Sequence, residues 1–121
     1  MILIDTSVWI DHLRKPSTRL FTLIDSSQIL VHPFVTGELA MGSLHGRGRF
    51  LNELDELPQM AILTSKDVIR FVGKHRLYGT GISYIDAHLL AAAHNAEDVQ
   101  LWTNDKRLHA ASARLNIAAT L

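Results

Sequence analysis

The sequence predicts an α/β fold, a parallel sheet with helices packed on both faces. Short, largely apolar runs (Met1–Ile4, Gln28–Val31, Met60–Leu63 and Leu101–Thr103) show no alternation, as expected of strands buried on both sides. Between them lie segments with apolar residues at helical spacing, and strands alternating with helices read as parallel-sheet units. Polar and acidic residues follow several of the apolar runs, at the sheet edge where ligands bind in open parallel sheets.

The opening stretch MILIDTSVWIDHL sets the pattern. Four apolar residues run into Asp5-Thr6-Ser7, and Val8, Trp9, Ile10 and Leu13 then trace a helix. Asp5 stands where strand gives way to helix, so either it or Thr6 is also a candidate N-cap. Ser17 opens a second short helix carrying Leu20, Phe21 and Ile24, and Ser26-Ser27 ends it. After the run Gln28–Val31, Pro33 suits a first helical turn, and FVTGELAMGSL follows with helical spacing. A glycine-containing loop, SLHGRGR, precedes a helix with Phe50, Leu51, Leu54 and Leu57, stopped by Pro58. Met60–Leu63 is a third strand candidate, and Thr64 or Ser65 then starts a helix through Val68, Ile69, Val72 and Leu77. Ser83 opens the alanine-rich helix SYIDAHLLAAAHNA. Leu101–Thr103 is a fourth strand, Leu108, Ala111 and Leu115 mark the last helix, and Ile117–Ala119 is a candidate edge strand.

Composition narrows the function. An apolar fraction of 47% and a charged fraction of 20% are those of an ordinary globular domain, and 121 residues suffice for one core. Twelve basic and twelve acidic residues balance, so nucleic-acid binding must come from local patches rather than an overall field. The absence of cysteine excludes disulfides, thiolate metal sites and cysteine nucleophiles, and fits a reducing cytoplasm. No apolar run reaches the roughly 18–20 residues of a membrane span, and Met1 is expected to begin the mature chain, since no signal peptide is evident.

Four carboxylates stand out by position: Asp5 at the end of the first strand, Glu38 in the helix after the second, Asp86 in the first turn of the alanine-rich helix, and Asp105 just past the fourth strand. In a parallel sheet the segments after strands emerge on one edge, which lets all four meet there. Each also fits a structural role. Asp86 lies three residues after Ser83, the spacing of a capping box, and Asp105 or Asn104 can cap the last helix. Glu38 shares a stripe with Phe34 and Met41, implying a partly apolar setting, whereas Glu53, Asp55 and Glu56 read as a solvated face. Four converging carboxylates would repel one another unless cations neutralise them. An all-oxygen site suits Mg²⁺ or Mn²⁺, whose chemistry with such a site is phosphodiester hydrolysis.

Other motifs are weaker. Gly46-x-Gly48 and Gly79-x-Gly81 lack the third glycine of a dinucleotide loop, there is no P-loop lysine, and the seven histidines include no HExxH pair. His88 and His94, six apart, do not share a helix face. Among the basic residues, Arg47 and Arg49 follow the Glu38 helix and Lys106 and Arg107 adjoin Asp105, so these four are the candidates for gripping a phosphate near the acids. Trp9 and Trp102 are expected in the core.

The runs MILIDTSVWIDHLR, VTGELAMG, GISYIDAHLLAAA and LWTNDKRL, in that order, resemble the PIN-domain ribonucleases, in particular the VapC toxins of bacterial and archaeal toxin–antitoxin pairs. The resemblance covers the whole chain, and every position of the family's acidic pattern is filled, by Asp5, Glu38, Asp86 and Asp105. It implies a single PIN domain over residues 1–121, a Rossmann-like three-layer α/β/α architecture with a four- to five-stranded parallel sheet. It also implies a metal-dependent endoribonuclease that cuts tRNA or rRNA and inhibits translation. Asp5, Asp86 and Asp105 would bind one or two Mg²⁺ or Mn²⁺ ions, Glu38 would complete the pocket, and Thr6 and Thr103 would steady the acids by hydrogen bonds. The implied partners are RNA, a second copy in a homodimer, and a VapB-type antitoxin whose tail covers the acids; no membrane is involved.

Rival readings fit less well. A haloacid-dehalogenase-type phosphatase needs an acid where Ser7 stands, and a receiver domain needs one in Leu63-Thr64-Ser65. A PIN nuclease outside toxin–antitoxin biology, acting in RNA processing or on DNA, remains compatible with the acids. A non-catalytic PIN-like binding module does not explain why repelling carboxylates are kept.

Overall fold

The first apolar run becomes the central strand. In the computed structural model, which describes residues 1–121, β1 (Ile2–Ile4) lies between β2 (Ile29–Leu30) and β3 (Gln100–Trp102), all parallel. Ile2 is opposite both Ile29 and Gln100, and Leu3 is opposite Leu30 and Leu101. Leu3, Ile4, Ile29 and Leu101 are buried, which explains the unbroken apolar runs: a strand covered on both faces has no solvent side on which to alternate.

Seven helices complete the chain: α1 (Thr6–Arg14), α2 (Thr18–Asp25), α3 (Pro33–Ala40), α4 (Arg47–Glu56), α5 (Ser65–Lys74), α6 (Tyr84–Asn95) and α7 (Lys106–Arg114). None is long and apolar enough to cross a membrane. The class is the α/β one the sequence predicts, but the ladder holds three strands rather than four or five. Residues 60–63 and 117–119, expected to be strands, form none: one parallel bridge stands at each edge, Gln59, just before the first segment, with Val31, and Ala118, within the second, with Leu101. Only Met60 of its run is buried, while Ile62 is half exposed. Apolar character alone does not hold a strand where one face meets water.

Local chemistry explains where the helices begin. Ser17, Thr64, Ser83 and Asp105 each accept a hydrogen bond from a backbone N–H of the first turn, satisfying donors that a helix start leaves free. At α3 the cap is His32, whose Nδ1 accepts from Phe34 N at 3.0 Å, with Pro33 in the first position. Burial, aided by the charge of His88, pushes the His32 pKa down to about 4, so the ring stays neutral and keeps its acceptor. The exception is Asp5. It occupies the cap position of α1 but makes no cap hydrogen bond.

Helix α6 is the centre of the helical layer, with residues 87 to 93 all buried. Its alanines permit close approach: Ala87 and Ala91 pack with Val68 of α5, while Leu89, Leu90, Ala92 and Ala93 join the main core. Trp9 belongs to that core, and Trp102 packs against it half-buried.

Truncating the middle of β3 tests this arrangement. Leu101→Ala is expected to lower stability by about 2–5 kcal/mol through lost burial and a residual cavity, read as a lower urea midpoint at unchanged slope.

Candidate functional site

Asp5 spends its carboxylate across the sheet. It is buried to 5% exposure, and a buried charge needs hydrogen-bond partners. Oδ2 accepts from Thr103 Oγ1 at 2.7 Å and from Ser7 Oγ at 2.7 Å. The same two hydroxyl oxygens accept backbone N–H groups of the next turn, Asn104 N to Ser7 at 3.0 Å and Asp105 N to Thr103 at 3.0 Å. Asn104 Nδ2 also donates to Asp11 at 2.7 Å. The turn after β1 and the turn after β3 are thereby laced together, which sets Asp105 beside Asp5.

Asp86 and Asp105 are each oriented by the helix they begin. Asp86 closes a capping box: its Oδ2 accepts from Ser83 N while Ser83 Oγ accepts from Asp86 N. Asp105 Oδ1 accepts from Leu108 N at 2.9 Å. Burial raises the Asp86 pKa above its usual value, the bonds from Ser83 pull it back, and the charges of Asp5 and Asp105 push it up further. That repulsion is the electrostatic sign that three carboxylates share one edge of the sheet.

Glu38 joins them through a hydroxyl. Thr6 Oγ1 donates to Glu38 Oε1 at 2.7 Å, linking α3 to the start of α1. The expected partly apolar setting is a shallow, open one: Glu38 lines a cleft with Phe34, Met41 and Ile85, yet Glu38 is exposed and Met41 is 89% exposed. Behind these acids, His32, Phe34, His88 and Tyr84 form a chain of edge-on rings, with centroids 5.1, 4.7 and 4.7 Å apart.

Of the candidate RNA-binding residues, Arg47 and Arg49 are engaged within the chain. Arg47 donates twice to the Ala40 carbonyl at the end of α3, and Arg49 pairs with Glu53. Lys106 and Arg107 are exposed beside Asp105 and make no hydrogen bond or ion pair to another residue. Thr103 and Thr6 bond to acids as expected. Ser7 and Asn104 were not foreseen as site residues; the only signal was a run of polar side chains after each apolar run.

The donor set fits a hard divalent ion. Asp5 Oδ1, Asp86 Oδ1 and Asp105 Oδ2 are left without a protein partner, and all are oxygens, as Mg²⁺ and Mn²⁺ prefer. No group of three or more His, Asp or Glu side chains is close enough to enclose an ion directly.

Comparison with known proteins gives the family. Residues 2–114 match the PIN domain family. The chain is 44% identical over 118 residues to Ribonuclease VapC32 of Mycobacterium tuberculosis (strain CDC 1551 / Oshkosh), covering 98% of this chain and 95% of that protein. The same figures hold for Ribonuclease VapC32 of Mycobacterium tuberculosis (strain ATCC 25618 / H37Rv).

Asp86→Asn keeps an acceptor for Ser83 N and removes the repulsion. Because folding raises the Asp86 pKa above 3.8, the wild type binds more protons folded than unfolded and loses stability as pH rises through that window. The variant is expected to melt about 2–5 °C higher at neutral pH, with the difference vanishing below pH 3.8. Thermal melts across pH test this, and equal melting temperatures at neutral pH would count against acidic crowding.

Proposed function

The chain belongs to the PIN-domain family, in its VapC branch, and on that premise we propose that it is a metal-dependent endoribonuclease, the toxin of a toxin–antitoxin pair. The observation that carries the reading is the coupling of Asp5, Asp86 and Asp105 on one sheet edge, each with a carboxylate oxygen left unpaired. A resident Mg²⁺ or Mn²⁺, as one or two ions, would supply an activated water and stabilise the leaving oxygen. Asp5, Asp86 and Asp105 would hold the metal. The Ser7 and Thr103 hydroxyls fix the Asp5 carboxylate in place. Glu38, held by Thr6, positions the attacking water. The substrate is RNA, with tRNA or rRNA the targets whose cleavage would stop translation. The whole chain acts as one PIN domain in the cytoplasm, paired with a second copy.

The antitoxin partner has a fitting surface away from the acids. Helices α1, α2 and α4 border a groove of about 570 Å³, lined by Leu13, Phe21, Ile24 and Phe50 and edged by Glu53 and Glu56. Phe21 is 49% and Leu13 40% exposed. An apolar segment with basic flanks matches it, and its continuation would reach over the acidic edge.

Purified chain incubated with total RNA or tRNA is expected to give discrete fragments with Mg²⁺ or Mn²⁺, none with EDTA, and none from Asp86→Asn. Thr103→Val is expected to cut about 10–100-fold more slowly, as when groups orienting metal ligands are removed. Metal-independent cleavage would sink the mechanism. In cells expressing the antitoxin of the same operon, Phe21→Glu is expected to arrest growth where the wild type is tolerated.

A further inference from the structure

The acidic edge repels the substrate proposed for it. Asp5, Glu38, Asp86 and Asp105 leave no local excess of positive charge, and the whole chain has zero formal net charge. An RNA strand reaching that edge must therefore be held by cations concentrated beside it. Arg47 and Arg49 are committed to Ala40 and Glu53. Other cations without an ion-pair partner lie along α7 and the end of α5; of these Arg107 and Lys74 bond to no other residue, and Arg114 gives a single Nη2 bond where Arg47 gives two.

Two clefts lie among them. The first, of about 230 Å³, is lined by Thr80, Arg107, Ala110, Ala111 and Arg114. Arg107 lies over the loop at Gly81, where a Cβ would stand 2.6 Å from its guanidinium; with φ at +86°, only glycine suits this position. The small side chains of Ala110 and Ala111 leave the space between the two arginines open. Arg107 and Arg114 are seven residues apart, about 10.5 Å along the helix. Arg114 Nη2 then donates to the His75 carbonyl at 2.8 Å, which places it next to Lys74.

The second cleft, of about 450 Å³, includes Arg70, Lys74, His75 and His94 in its lining. Lys74 has no ion-pair partner, and Arg70 has only a 3.7 Å contact with Asp67. After burial, the charges of His94, Lys74 and Arg114 all lower the His75 pKa, so all three lie in reach of one ring. Phe71, His75 and His94 pack ring to ring with centroids 4.5–5.4 Å apart, and partly exposed rings are what unpaired bases stack on.

We propose that the cationic track from Arg107 past Arg114 to Lys74 and Arg70 carries the backbone of single-stranded RNA flanking the scissile bond. It begins two residues from Asp105 and ends at the ring cluster. The proposal rests on the ribonuclease reading and adds to it the path that the substrate takes.

The test is fluorescence anisotropy with a labelled single-stranded RNA of about 15 nucleotides and mixed sequence, titrated between about 50 and about 200 mM salt. The protein is the full chain carrying Asp86→Asn, which binds without cutting. Each phosphate contact removed is expected to lower the salt slope by about 0.7. Lys74→Gln should lower it by about that much, and the triple variant Lys74→Gln/Arg107→Gln/Arg114→Gln by about 2. The triple variant should also lose about tenfold or more in affinity at the lower salt. Arg19→Gln, exposed on α2, should change neither. Lys74→Gln removes no bond within the chain, so it reads the track even if the triple variant misfolds. An unchanged slope in Lys74→Gln and in a folded triple variant, with binding and wild-type cleavage intact, overturns the track alone. Absence of both RNA binding and cleavage in the wild type overturns the ribonuclease reading with it.

Discussion

A buried carboxylate that needs partners determines how the acidic edge is built. Asp5 finds its partners in Thr103, 98 residues away, and Ser7, two residues away. Because those hydroxyls also accept the N–H groups of Asn104 and Asp105, the first and third strands are locked at their ends as well as along their ladder. Loss of one member leaves other buried polar groups unsatisfied, at roughly 1–3 kcal/mol each. Fold and site therefore stand or fall together at Asp5, which explains why a cap position is filled by a residue that does not cap.

The other acids relieve their crowding differently. Asp86 and Asp105 sit at the N-termini of α6 and α7, where backbone N–H groups and the helix dipole favour negative charge. Each helix start thus offsets part of the repulsion that the shared edge creates. The offset is incomplete, as the raised Asp86 pKa records. The site is held under electrostatic tension, and a cation relieves that tension most directly.

Much of this was legible in the sequence, for identifiable reasons. The Ser83–Asp86 spacing announces a capping box because the bond is local, and Met1–Ile4 announces a central strand because burial on both faces leaves only apolar residues. The family pattern singled out four acids, and the charges of Asp5 and Asp105 do reach Asp86 while Thr6 bonds to Glu38. Ser7 and Asn104 were hidden because their roles depend on a turn nearly a hundred residues away. Residues 60–63 read as a strand because apolar runs do not reveal whether a ladder partner lies within reach. Glu38 read as half-apolar because Phe34 and Met41 share its stripe, yet Met41 projects into solvent. Arg47 and Arg49 looked available because their acceptors, a carbonyl and Glu53, carry no signature.

The two single-residue bridges have a consequence for behaviour in a crowded solution. A three-stranded sheet ends in two open rims, and unpaired rim groups invite strands from other molecules. At Val31 both the N–H and the C=O are already taken by residues 58–60, and at Leu101 both are taken by residues 117–119. Each rim is stoppered by its own chain at one point, so an incoming strand would first have to displace a covalently tethered neighbour. Segments too short to count as strands thus guard against self-association through the sheet.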